Sequence, residues 1–99
     1  MAEKKGTKTM LEVGFVSKLS ETLKSLDDTS RNALAVEAKI RPATINELAS
    51  GKSKQFNFET LADILEALNR ISEDKGYIKK FNVNDVFEYD PDKKETTRD

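Results

Sequence analysis

Apolar positions along the chain fall into separate periodic runs. From Met10 onward, Leu11, Phe15, Val16, Leu19, Leu23 and Leu26 recur at spacings of three and four, the period of an amphipathic helix. Gly14 weakens the first turn of that run, so a helix is expected from about Phe15, with extended chain before it and Asp27-Asp28 after it. Ser30 is placed to cap a helix over 31–39 with Leu34, Ala35 and Ala38 inward. Ile40 reads as a buried turn residue. Pro42 suits the first position of the next helix, 42–49, where its missing N–H costs nothing, and Gly51 ends that helix. Asn57 caps a helix over 58–69 with Phe58, Leu61, Ile64, Leu65 and Leu68 on one face. Beyond it the pattern is irregular. The run 72–76 signals a turn, and 77–81 reads as a short strand or a helical extension. Asn84 is placed to cap a last short helix, 85–89. The expectation is an all-α chain: a flexible lysine-bearing arm over 1–9, one domain over 10–90, and a charged tail over 91–99.

Within the domain, residues 31–50 stand out. Two short helices joined by a tight turn approach closely near their crossing. The residue that must be small there is Ala35. Ile45 and Leu48 face inward from the second helix, which leaves Ala43, Thr44, Asn46 and Glu47 on the outer face. That is the sequence form of a helix-turn-helix, whose second helix fits the DNA major groove. The outer residues suit base edges. Asn binds adenine bidentately, Ala and Thr touch the thymine methyl, and Glu accepts from cytosine N4. Arg41, Lys52, Ser53 and Lys54 flank this helix and would track phosphates.

The stretch resembles the Cro and phage-repressor (XRE-like) helix-turn-helix family. The resemblance is carried by Ser30, Leu34, Ala35, Ile40, Pro42, Thr44, Ile45, Leu48 and Gly51, and it extends through 57–61, 67–69 and 85–89. It implies a lambda-repressor-like DNA-binding domain, a compact bundle of about five short helices. It also implies a small stand-alone regulator with double-stranded DNA as partner, and a phosphate contact from Arg31. Val83, Val86, Phe87 and Tyr89 either cap the core or form the contact of a homodimer on inverted half-sites, as the family often does. Lys4, Lys5 and Lys8 form either an arm around the DNA or an ordinary basic terminus. Two departures stand out. Lys39 occupies the turn where the family often has Gly, so the turn is expected to take another shape. About ten extra residues separate Asn69 from Asp85.

Charge sharpens this picture. The 99-residue chain carries a net charge of -1, unlike most nucleic-acid binders. The balance is uneven, however. Over 29–56 five cations (Arg31, Lys39, Arg41, Lys52, Lys54) face two carboxylates (Glu37, Glu47), whereas 57–75 is net acidic. The proposed reading segment is thus the most basic part. The chain has no cysteine and no histidine, so no thiolate metal site and no histidine general base or ligand. The paired carboxylates Asp27-Asp28 and Asp90/Asp92 lack a pocket signature, and no cofactor or enzymatic activity is implied. No apolar run approaches the ~18 residues of a membrane span, and no secretory signal is expected, which points to the cytoplasm. The composite expectation is a DNA-binding transcriptional regulator, a repressor by resemblance. The competing expectation is a protein-interaction module of antitoxin or anti-repressor type that keeps the helix-turn-helix; the acidic helix and the extra segment 70–83 motivate it.

Overall fold

The computed structural model describes residues 8–55 and 57–93. Lys4 and Lys5 of the expected arm, and 94–99 of the expected tail, lie outside the described residues. In chain order there follow a 3-10 turn at Leu11–Val13, strand β1 at Phe15–Ser17, and helices α1 (Leu19–Ser25), α2 (Arg31–Ala38), α3 (Pro42–Ala49) and α4 (Phe58–Asp74). A 3-10 turn at Val83–Asp85, strand β2 at Phe87–Tyr89 and a 3-10 turn at Pro91–Lys93 complete them.

The expected all-α bundle of about five short helices is not what forms. Among the described residues, four α-helices accompany a two-stranded antiparallel sheet, with Phe15 opposite Tyr89 and Ser17 opposite Phe87. Both strands replace expected helix. Gly14 takes a left-handed φ of 100°, which closes the preceding 3-10 turn and stops a helix from running through Phe15. A Cβ on Gly14 would stand 2.8 Å from Tyr89 Cε1, so a side chain at this position would have to displace the Tyr89 ring. Phe15 then packs on Phe87 (ring centroids 5.8 Å) and Tyr89 (5.2 Å). Aromatic cross-strand pairs of this kind favour strand over helix. At the C-terminal end Asn82, not Asn84, is the cap. It shares a reciprocal capping box with Asp85, and the turn it starts lasts only three residues before β2.

The helices follow the sequence more closely. Ser30 Oγ accepts from the Ala33 amide at 2.9 Å and Asn57 Oδ1 from the Thr60 amide at 2.7 Å, so both expected caps form. Leu19, Leu23 and Leu26 of the first helical stretch meet Leu34, Ala35, Ile45, Leu48, Ile64 and Leu68 in one core. Ile40 is half-buried against that core rather than fully enclosed. Phe58 departs from its expected place: at the first turn of α4 it is 88% exposed. The helix also runs five residues past Asn69, to Asp74, because Ile71 and Ser72 continue its inner face. Residues 77–81 form neither strand nor helix. Instead Phe81 is buried, and the Asn69 side chain accepts from its amide (2.6 Å) and donates to its carbonyl (3.4 Å). Val86 is completely buried and Phe87 half-buried on the core, the cap expected of this end, whereas Val83 and Tyr89 stay exposed.

Ala35 is 1% exposed, in the core that α2 shares with α3 and α4. Ala35→Leu is expected to destabilise the fold by about 1–3 kcal/mol through overpacking. Urea unfolding monitored by circular dichroism checks this, and an unchanged midpoint would show that the helices do not meet closely there.

Candidate nucleic-acid interface

The turn between α2 and α3 sets how the second helix is presented. Lys39 adopts φ 60° and ψ 43°, so the turn keeps the left-handed form that the absence of Gly argued against. The Ile40 amide donates to the Ala35 carbonyl at 2.9 Å and the Lys39 amide to Val36 at 3.2 Å. These two bonds satisfy the last carbonyls of α2 in a Schellman arrangement, and they offset the strain of a left-handed lysine. Arg41 follows in extended conformation as the cap residue of α3, and Pro42 holds its first position. At the far end Lys52 N–H donates to Glu47 O at 2.8 Å and Gly51 N–H to Leu48 O at 3.2 Å. Gly51 is left-handed, and a Cβ on it would stand 2.7 Å from Leu11 Cδ1.

Ile45 and Leu48 are fully buried. Helical geometry therefore turns the opposite face outward, and Ala43, Asn46 and Glu47 are all exposed. Thr44 is half-buried. It lines a shallow cleft of about 420 Å³ with Gln55, Asn57 and Thr60, so it stands where α3 meets the start of α4 rather than at the centre of the outer face. Gln55 and Thr60 were not singled out from the sequence. Their position beside Thr44 depends on how the 51–57 loop folds, and no local signal marks it.

The expected phosphate-facing residues divide. Arg41, Lys52 and Lys54 are exposed. Arg31 is exposed at the start of α2, and its guanidinium donates to Ser20 Oγ at 3.3 Å. Ser53 differs: it is only 7% exposed, and its carbonyl accepts from the Met10 amide at 2.8 Å. Ser53 thus anchors the loop to the N-terminal segment and is withdrawn from the surface. The same anchor brings Lys8 to a hollow of about 250 Å³ that Lys54 and Gln55 also line. The Thr9 amide donates to the Glu12 carboxylate at 2.8 Å and holds it below the usual carboxylate range, with Lys8 and Lys54 adding to the effect.

Glu37, one of the two carboxylates in the basic segment, is engaged by α4. Arg70 Nε meets its Oε2 at 2.7 Å, and Arg70 Nη2 donates to the Glu37 carbonyl at 2.9 Å. The hydrogen bond to the Glu37 carboxylate is the chief cause that raises the pKa of this guanidinium above its usual value, and the second bond satisfies a carbonyl at the end of α2. Glu47 has no ion pair among the described residues. Among the described residues no cluster of three acidic side chains is arranged to hold a metal ion. Nor is any helix among them long and apolar enough to cross a membrane.

The chain matches no protein-family model, no curated protein and no solved structure.

Lys39→Gly removes a left-handed side chain and is expected to raise stability by up to about 1 kcal/mol. For a domain of this size that is a melting temperature higher by up to about 4–8 °C. A lower melting temperature would show that the turn gains more from the lysine than its backbone costs.

Proposed function

We propose that this chain is a sequence-specific double-stranded DNA-binding regulator of transcription, of the Cro and phage-repressor helix-turn-helix kind, that acts as a repressor in the cytoplasm. The observation that carries the reading is the division of α3. One face, Ile45 and Leu48, is sunk in the core. The opposite face is short, polar and bare, and cations stand at both of its ends, Arg41 before it and Lys52 and Lys54 after it. A helix whose outer face carries no bulky side chain, here Ala43, Asn46 and Glu47, fits a groove about 12 Å wide without steric obstruction.

In this reading Asn46 makes the bidentate contact to adenine, Ala43 meets a thymine methyl, and Glu47 accepts from cytosine N4. Glu47 also repels phosphate, so a misplaced helix binds worse than a correctly seated one. Thr44 reads from the flank. Arg31, Arg41, Lys52 and Lys54 neutralise phosphates and fix the register. One helix covers few base pairs, and a homodimer on inverted half-sites extends the reading to a full site. The proposal assigns binding and no catalysis. A protein-interaction module would instead use the exposed α3 face on a protein, and the measurements below separate the two.

Duplexes selected from a random pool and titrated by fluorescence anisotropy should bind with strong salt dependence. The slope of log affinity against log salt is expected at about -3 to -4 for the four phosphates neutralised by one copy, and at about twice that for a pair on a full site. Absence of binding to every duplex, or salt-insensitive binding, would reject the reading.

Asn46→Ala should leave the melting temperature nearly unchanged and reduce discrimination at one base pair by about 1–3 kcal/mol. Unchanged preference at every position of the selected site would remove Asn46 from that role.

A further inference from the structure

The hollow of about 250 Å³ lies where the N-terminal segment, the loop after α3 and the two strands meet. Its floor is apolar. Met10 is buried there and Phe87 half-buried, while Val13 is 38% and Phe15 36% exposed. Its rim is polar and carries Lys8, Lys54 and Gln55, all exposed. No carboxylate is among the described residues that line it. Neither lysine has an ion pair among the described residues. Glu12 stands close enough to feel both lysines, but its Oε1 already accepts from the Thr9 amide, and a single carboxylate leaves the two cations in excess.

The walls are fastened before anything binds. The Met10 amide donates to the Ser53 carbonyl at 2.8 Å, and the Met10 carbonyl accepts from the Phe15 amide at 2.8 Å and the Val13 amide at 3.2 Å. The Phe15 ring meets Phe87 edge to face, with 81° between the planes. A floor already held in place loses little conformational freedom when a ligand covers it. Small-molecule sites have this make-up: largely preformed, mostly apolar, with a few polar groups that fix orientation. Size and charge narrow the occupant. A cavity of about 150 Å³ takes benzene, so this hollow has room for one ring and a short side chain. Two lysines select an anion at the end of that side chain, and a carboxylate accepts from both at once.

The hollow also adjoins the side of the molecule that faces DNA in the proposed reading. Gln55 lines both this hollow and the cleft beside Thr44, and Lys54 is one of the four cations that neutralise phosphate in that reading. We propose that the hollow binds a small amphipathic carboxylate, its ring on Met10, Val13, Phe15 and Phe87 and its carboxylate on Lys8 and Lys54, and that an occupied site withdraws Lys54 from DNA. The ligand thus acts against duplex binding. The withdrawal of Lys54 rests on the DNA reading; the site itself does not.

Titration of the isotope-labelled full chain with phenylpropionate, followed by amide chemical shifts, tests the site without DNA. Shifts centred on the residues of the hollow are expected to saturate with a dissociation constant of about 0.1–1 mM. Phenylpropanamide, which has the same shape and no charge, should bind at least about tenfold more weakly. Lys8→Gln/Lys54→Gln should weaken the acid by a similar factor, and Val13→Glu should abolish its binding, both without changing the melting curve. Shifts that do not saturate, equal affinity for acid and amide, or a double lysine variant that binds as the parent does would overturn the site. On a selected duplex, saturating phenylpropionate should lower affinity at least about threefold and reduce the salt slope by about one per copy, whereas sodium acetate at the same concentration should do neither. Duplex affinity unchanged by the acid would overturn the withdrawal of Lys54. A chain that takes up the acid and binds no duplex keeps the site and loses the DNA reading, and the withdrawal with it.

Discussion

Close contact between α2 and α3 is the constraint from which the rest of the molecule follows. Ala35 and Ala38 of α2 are small, Ile45 and Leu48 of α3 are large, and all four are buried in one core where the two helices meet. The contact exists only because the chain reverses over the left-handed Lys39 and the extended Arg41. With Ile45 and Leu48 committed inward, the pitch of the helix leaves Ala43, Asn46 and Glu47 no place but the surface. The candidate reading face is thus a consequence of packing on the other side of the same helix.

Two long-range closures hold that unit in place. The pairing of β1 with β2 joins parts of the chain about seventy residues apart, and the Lys18 amide extends it by donating to the Val86 carbonyl at 2.8 Å. The Thr22 hydroxyl donates to the Asp85 carbonyl at 2.6 Å, which fastens α1 to the same end of the chain. The bond from Met10 to the Ser53 carbonyl then links this sheet region to the loop after α3. Backbone groups near a core need partners, and here their pairing also fixes where the basic loop sits. Ser53 serves that linkage, which is why it is buried while its neighbours Lys52 and Lys54 are not.

Local signals in the sequence were sufficient for α2, α3 and the start of α4. Ser30, Pro42, Gly51 and Asn57 each act within a turn of where they stand, and each acts as its residue type suggests. Where structure depends on distant partners, the sequence misleads. Phe15, Val16 and Leu19 mimic helical spacing, yet Phe15 belongs to a strand because Phe87 and Tyr89 offer it aromatic partners. Three-residue strands carry too little alternation to be read, and no hairpin turn joins these two. Phe58 matches the apolar period of α4, but at a helix's first position a side chain leans back beyond the first turn, off the core. The Asn82 capping box is legible in the sequence, since Asp85 stands three residues on; Asn84 competes with it only because it directly precedes the expected helix. In the candidate site, the outward set on α3 was legible from the inward one. The flank position of Thr44 and the burial of Ser53 were not, because both depend on the fold of the 51–57 loop.

A nearly neutral chain can still carry a locally basic surface, because charge acts over about a Debye length and not over the whole molecule. Arg70 bears on this. By pairing with Glu37 it neutralises one of the two carboxylates of the basic segment from the α4 side, and it does so without adding a carboxylate near α3. That pair is largely exposed, so its value to stability is small; its effect is on the field around α2 and α3. Glu47 is the remaining negative group of that segment, and it sits in the middle of the outward face. A carboxylate there lowers attraction to any duplex and is tolerable only where a base-edge donor faces it. If this surface reads DNA as proposed, few cations would hold arbitrary sequences and one anion would reject most of them, so discrimination would depend more on the fit of Asn46 and Glu47 than on the strength of phosphate contacts.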